Sequence, residues 1–248
     1  MIIDLTMELH EGITAYPSHG RSVLSLSPVM KHADFLGTGR RTRYADLPVS
    51  FEVSQWILSD QAGTHMDAPF HVDPAHSVTI ERVPLETAWG PAVWLDCTTA
   101  ATESGAVSAQ ALRDAADEAG VRIERGDILV LRTGTSDDAV SDPAGYATTF
   151  RGLTRDAAEH LRAVGVRCLA IDCVTIESPA TAATADVHTI LLRPSALGLP
   201  DSDVIGVVEN LVRVDTIPVH RFHFAALPLP LRGAAGSPVR AVAVVEGI

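Results

Sequence analysis

The 248-residue chain holds few cysteines: Cys97, Cys168 and Cys173, with no C-x-x-C among them. An odd count without that spacing argues against a disulfide framework and suits a reducing compartment. Cys97 and Cys168 stand inside apolar runs, where a thiol acts as a small buried hydrophobe, and none of the three reads as a nucleophile. Basic side chains are also scarce. There are 19 Lys and Arg against 31 Asp and Glu, a formal charge of −12, and Lys31 is the sole lysine. A chain this acidic is not expected to hold a phosphate backbone by charge, so no nucleic-acid partner is expected. The densest basic group, Arg40-Arg41 with Arg43, reads as a solvated loop. No apolar run approaches the roughly 18 residues of a membrane span. The start, M-I-I-D-L-T-M-E-L-H, carries acids where a signal peptide carries bases, so a cytoplasmic protein with no membrane partner is expected. Common catalytic signatures are missing too: no G-x-S-x-G, S-x-x-K, H-E-x-x-H or G-x-x-x-x-G-K-[ST]. Gly37-Thr38-Gly39 lacks the further glycine and the strand–turn–helix setting of a dinucleotide site.

What is there suits a folded enzyme-sized core. Hydrophobic residues make up 46% and charged residues 20%, and the length fits a single domain over 1–248. Ile2 to Leu5 reads as a short strand, and Ser22 to Thr42 as loop. One or two strands are expected between Tyr44 and Ser59, and a buried strand over Val93 to Cys97. Ser108 can cap a helix through Ala119 with Gly120 as its stop, and Thr154 a second through Val164 with Gly165 as its stop. Strands at Ile128 to Leu131 and Cys168 to Ile171 follow these helices. Several short strands are expected from Val204 onward, ending in Val239 to Val245. The alternation predicts a mixed α/β fold with a β-rich portion.

The chemistry gathers in Gln61 to His71, Q-A-G-T-H-M-D-A-P-F-H. His65 and Asp67 are two residues apart, so on an extended chain they point to one face. An imidazole and a carboxylate aimed at one point suit zinc or manganese. Gly63 permits a close approach or an unusual dihedral beside them, and Pro69 ends the strand before His71. His10, His32, His76, His160, His220 and His223 read as surface or satisfied buried groups.

G-T-H-M-D-A-P-F-H resembles the H-x-G-T-H-x-D-x-P-x-H signature of the cyclase family, which includes bacterial kynurenine formamidases and isatin hydrolases. Further blocks are similar in the same order: I-I-D-L-T with Tyr16-Pro17, V-P-L-E-T-A-W-G-P-A-V-W-L-D, G-D-I-L-V-L-R-T-G, G-V-R-C-L-A-I-D, D-V-H-T-I-L-L, V-V-E-N-L and A-A-L-P-L-P-L. The resemblance implies the swivelling β/β/α cyclase-like fold and a divalent metal centre. It implies His65 and Asp67 as ligands of a first ion. Asp67 would bridge to a second ion completed by His188 and Glu209, with His71 as general acid/base. It also places His19 at the border of the site. Tyr16, Trp56 and Phe70 are candidates to line an apolar substrate pocket.

One position departs from the signature: Gln61 stands where its first histidine belongs. A neutral amide oxygen is a weaker zinc ligand than imidazole. Gln61 then ligates a harder ion such as manganese, or the first site is lost and Asp67, His188 and Glu209 hold one ion, or the metal function is degraded. Retention of both acids and both histidines favours one occupied ion. The resemblance implies a hydrolase of a small amide, lactam, lactone or ester. Its rivals are a non-hydrolytic cyclase, lyase or dehydratase, and a metal-free binding protein. Similar proteins are homodimers or homotetramers, and the apolar C-terminal stretch would suit such an interface.

Overall fold

Ile128-Leu129-Val130-Leu131 offers no polar side chain to either face of a strand, so both faces need cover. In the computed structural model this segment is the middle of a sheet. Residues 1–19, 23–30, 51–73, 75, 78–99, 105–139 and 141–247 are described, with 23–30 described by backbone alone. Strand β6 (Ile128–Arg132) lies parallel to β5 (Trp89–Asp96) and to β7 (Cys168–Ile171), and β7 lies parallel to β8 (Gly206–Glu209). Antiparallel strands β1 (Ile2–Asp4), β4 (His65–Asp67), β9 (Arg221–Ala225), β10 (Gly236–Pro238) and β11 (Val242–Val244) extend it on both sides. The order among the described residues is β1-β11-β9-β5-β6-β7-β8-β4-β10.

The period of two sorts the core into two layers. Leu129, Leu131, Leu169, Ile171 and Val207 point to one face, where they meet α1 (Ala109–Glu118), α3 (Arg155–Val164) and α4 (Asp186–Leu192) through Leu112, Leu161 and Leu191. Ile128, Val130, Cys168, Ala170 and Val208 point to the other, against Leu5, Met66, Phe222, Phe224 and Ala243. The same sheet curls so that its own antiparallel strands help to cover that face. The three cysteines are buried and unpaired, as packing residues would be, and burial pushes each thiol up to about 12.

The helix signals act unequally. Ser108 caps α1, its hydroxyl accepting from Ala111 N at 3.1 Å. Thr154 occupies the corresponding position of α3 but does not cap it. The Val107–Leu153 bridge brings the Val107 carbonyl alongside, and the Thr154 hydroxyl donates there at 3.2 Å and to Asp156 Oδ1 at 2.6 Å. Two short helices escaped the sequence reading. For α2 (Pro143–Thr148) a signal was present, Asp142 accepting from Gly145 N at 2.9 Å with Pro143 as the first helical residue. The other is α4, which has no capping side chain of its own.

The loop expected over Ser22 to Thr42 is corrected at 23–30, which forms β2 (Val23–Met30). It pairs antiparallel with β3 (Val53–Leu58), and the register shifts between Leu26 and Met30, around Pro28. The alternation of Leu24-Ser25-Leu26-Ser27 was a strand signal, and proline in a strand marks an edge or bulge. Of the one or two strands expected between Tyr44 and Ser59, the part over 51–59 holds β3, and the part over 44–50 lies outside the described residues, as do Arg40, Arg41, Arg43, His32, His76 and the expected loop at 31–42. No helix among the described residues is long and apolar enough to cross a membrane.

Leu161 carries the contact between α3 and the sheet and is fully buried. Leu161→Ala should lower the unfolding free energy by about 2–5 kcal/mol, the usual cost of a large-to-small change in a close-packed core. Urea denaturation measures it, and a change below about 1 kcal/mol would mean that the helix layer is loosely packed.

Candidate metal centre

The segment from Gln61 to His71 is set by three local features. Gly63 takes a left-handed backbone (φ +57°), and a β-carbon there would stand 2.7 Å from Leu9 Cδ2. That turn aims its carbonyl at His65, whose Nδ1 donates to Gly63 O at 2.8 Å. Donation from Nδ1 leaves the Nε2 lone pair free for the opposite side of the ring. Strand β4 then holds His65 and Asp67 on one face, and Pro69 opens a 3₁₀ turn, Pro69–His71. Asp73, buried just beyond, ties this turn to the chain after α4 by accepting from Ser195 Oγ at 3.0 Å and pairing with Arg193 at 3.3 Å.

Partners arrive from two distant elements. The antiparallel β4–β8 ladder sets Glu209 directly opposite His65, where side chains on one face become neighbours. Helix α4 delivers His188. The four side chains close a ring of alternating imidazole and carboxylate. His65 Nε2 lies 3.6 Å from Asp67 Oδ1 and 3.5 Å from Glu209 Oε2. His188 Nε2 lies 3.8 Å from Asp67 Oδ2 and 3.5 Å from Glu209 Oε1. The resemblance implies Asp67 as the bridge between two ions and Glu209 as a ligand of the second. In the structure Asp67 turns one oxygen to each imidazole, as a bridge would, and Glu209 does the same. Ligand atoms of His65, Asp67 and Glu209 lie within 4.8 Å of one another, as do those of Asp67, His71 and His188.

This ring fits a divalent cation. His65 Nε2 and both Asp67 oxygens are buried without a hydrogen-bond partner, and such orphaned polar atoms each cost about 1–3 kcal/mol unless something satisfies them. Ligands about 2.1 Å from a tetrahedral zinc stand about 3.4 Å apart, close to the spacing seen. Electrostatics agree. Burial works to lower the His188 pKa, but hydrogen bonds to Glu177 and Glu209 and the charges of Glu209 and Asp67 overcome it and raise it to about 10. The carboxylates thus outweigh the positive charge available to them.

Gln61 is buried beside the same site. Its backbone N donates to Ser59 Oγ at 3.2 Å, and its Nε2 is a fourth orphaned atom. A cleft opens over the ring, with Tyr16, His19, Gln61, His71 and Glu177 among its walls. Tyr16 stacks at a tilt on His19 at 5.4 Å and on Phe150 at 6.1 Å between ring centroids. His19 sits at the mouth; partial burial, then the nearby imidazoles of His71 and His65, hold its pKa below the usual value. The His71 ring lies 5.9 Å from that of His188.

Of the three candidates for an apolar pocket, Tyr16 lines this cleft and Trp56 and Phe70 do not. Trp56 is 49% exposed on β3, whose residues are all exposed. Phe70 is 37% exposed. In a 3₁₀ turn successive residues rotate by about 120°, so with Pro69 buried and His71 on the cleft, Phe70 faces out. Three contributing residues were missed. Glu177 lines the cleft against His188. Asn210 takes the Tyr146 hydroxyl on Oδ1 at 2.5 Å and the Thr64 hydroxyl on its backbone oxygen at 2.6 Å, which braces the His65 segment. Tyr146 had no signal, being a lone aromatic on a short helix. Asn210 follows Glu209 directly, and Glu177 was one acid among many.

The Cyclase family model matches residues 3–178. A kynurenine formamidase of Maricaulis maris is 32% identical over 79% of this chain and 81% of its own length. That of Bordetella avium is 34% identical over 77% of this chain and 79% of its own. Among solved structures, isatin hydrolase A from Labrenzia aggregata superposes with a TM-score of 0.77 at 21% identity, over 99% of this chain and 94% of that one.

Asp67→Ala should remove bound metal, since this carboxylate serves both corners of the ring. Elemental analysis of protein purified without chelator should find metal in the parent and little in the variant. Less than about half an equivalent in the parent, with added zinc and manganese also failing to bind, would overturn the assignment.

Proposed function

The chain belongs to the cyclase family, and from that premise we propose that it is a metal-dependent hydrolase of a small amide, lactam, lactone or ester. The observation that carries this reading is the buried ring of His65, Asp67, His188 and Glu209, whose orphaned atoms face one another below an open cleft. Relatives sharing about a third of the sequence are named kynurenine formamidase, which supports a C–N bond in the substrate.

His65, Asp67, His188 and Glu209 would hold the ion, zinc or manganese. When bound, such an ion acidifies water at neutral pH and polarises a carbonyl. Gln61 brings a neutral amide to the same place, which favours a single ion over the pair implied by the family signature. Tyr16 and His19 form a wall against which the flat face of a substrate can rest. His71 faces the cleft next to the ring and is the general acid/base. One imidazole nitrogen accepts a proton from the attacking water and then returns it to the departing nitrogen or oxygen. Burial of Asp67 and Glu209 would keep bulk water from competing for a bound ion.

The assembly proposed is a homodimer or homotetramer in the cytoplasm. Leu227, Leu229 and Leu231, in the apolar stretch near the C-terminus, are exposed and are candidates for its interface.

His71→Ala should leave metal content intact and cut turnover about 10²-fold or more, the scale of a lost general acid/base. Loss of metal in that variant would instead make His71 a ligand, as its distance from Asp67 and His188 allows. Unchanged turnover would remove it from the mechanism. Product mass supplies the check on reaction class: hydrolysis adds one water, ring closure adds none and dehydration removes one.

A further inference from the structure

The two ring members that lie far along the chain, His188 and Glu209, are both held by one short stretch, residues 175–178. Ile176 N donates to Glu209 Oε1 at 2.6 Å. The next residue, Glu177, turns its carboxylate toward α4. Its Oε1 accepts from His188 Nδ1 at 2.9 Å and from His188 N at 2.8 Å, and its Oε2 accepts from Val187 N at 3.3 Å. Every group in this set is buried.

Helix α4 explains the need. Ala185 occupies its N-cap position and offers no acceptor to the first turn. The free N–H groups of that turn require partners when buried. Glu177 supplies them from outside the helix, on the second and third helical residues, where a capping side chain would act. The same carboxylate receives the His188 Nδ1 proton, so Nε2 is the nitrogen presented to Asp67 and Glu209.

We propose that Glu177 is the positioning residue of the centre, fixing the first turn of α4 and the His188 ring together so that Nε2 meets Asp67 and Glu209. The proposal rests on reading the ring as a metal site. Glu177 is not one of its ligands: neither group of mutually close donor atoms includes it. Its own place is set by a parallel bridge to Leu153. That approach requires glycine at 152, where a β-carbon would stand 2.0 Å from Glu177 O.

The test is a thermodynamic cycle on the full chain, with the affinity for zinc read by competition against a chromophoric chelator. Glu177→Gln should weaken binding about 10-fold and Glu177→Ala up to about 100-fold, the range for losing a partner of a ligating histidine. In a His188→Ala background Glu177→Gln should have little further effect, because its influence passes through that ring. Equal losses in both backgrounds, or no loss in the single variants, would overturn the proposal. An NMR readout separates it from the metal assignment. A His188 Nδ1 proton that resonates downfield and is protected from exchange should be present in the metal-free parent and absent in Glu177→Ala. If no metal binds but that proton behaves so, the hydrolase reading fails and the positioning role stands. If the proton is unprotected in the parent, the positioning role fails whatever the metal does. Should Glu177→Ala not fold, Glu177→Gln decides, with a weakened and upfield-shifted Nδ1 proton expected.

Discussion

The antiparallel pairing of β4 with β8 is the constraint on which the centre depends. It places His65 opposite Glu209 and sets the pair beside Asp67 on one face of the sheet. Register in a strand is an all-or-none matter, because a slip of one residue sends every side chain to the opposite face. A slip here would bury Met66 at the ring and carry His65 and Asp67 away. Met66 and Val208, facing each other on the opposite side, are core residues, so packing on one face fixes the register that the chemistry needs on the other.

Strand β8 earns a second role from its position. It pairs with β4 on one edge and with β7 on the other, so it joins the parallel strands to the antiparallel strands β4 and β10. Glu209 is its last residue. Side chains at the ends of strands escape the packed interior and can face a cleft while their backbone stays locked. His188 comes from the helix layer and His71 from a turn. The centre therefore forms where three kinds of element meet, and each is anchored by buried groups: Asp73 for the His71 turn, Asn210 and Thr64 for the His65 strand, Glu177 and Ile176 for the two distant ligands.

Much of the fold was legible in the sequence where one physical rule acted alone. The all-apolar run at Ile128 to Leu131 could only be a covered strand, and the Ser108 cap formed as its residue type dictates. Reading failed where tertiary contacts competed. Thr154 had the right chemistry for a cap, but its hydroxyl is turned toward the Val107 carbonyl and the Asp156 carboxylate and accepts nothing from the first turn. The stretch at 23–30 belongs to a region, Ser22 to Thr42, that reads as loop because it is mixed and rich in glycine and polar residues, yet pairing with β3 made it a strand with a register shift. Helix α4 had no cap to announce it, since Glu177, its capping carboxylate, lies 11 positions from His188 in sequence.

By itself the sequence determined the local geometry of the Gln61 to His71 segment. The H-x-D spacing puts His65 and Asp67 on one face of any strand, and Gly63 and Pro69 bound that strand by backbone sterics alone. Those effects act over a few bonds and need no knowledge of the rest of the chain. Only the tertiary structure decided which distant groups meet that segment. Glu209 faces His65 as well as His188 because a strand pairing put it there, and Glu177 rather than a cap orients His188. Sequence separation carries no information about such contacts. They follow from how the sheet and its helices bury their apolar faces, and from the carboxylates that this burial forces together.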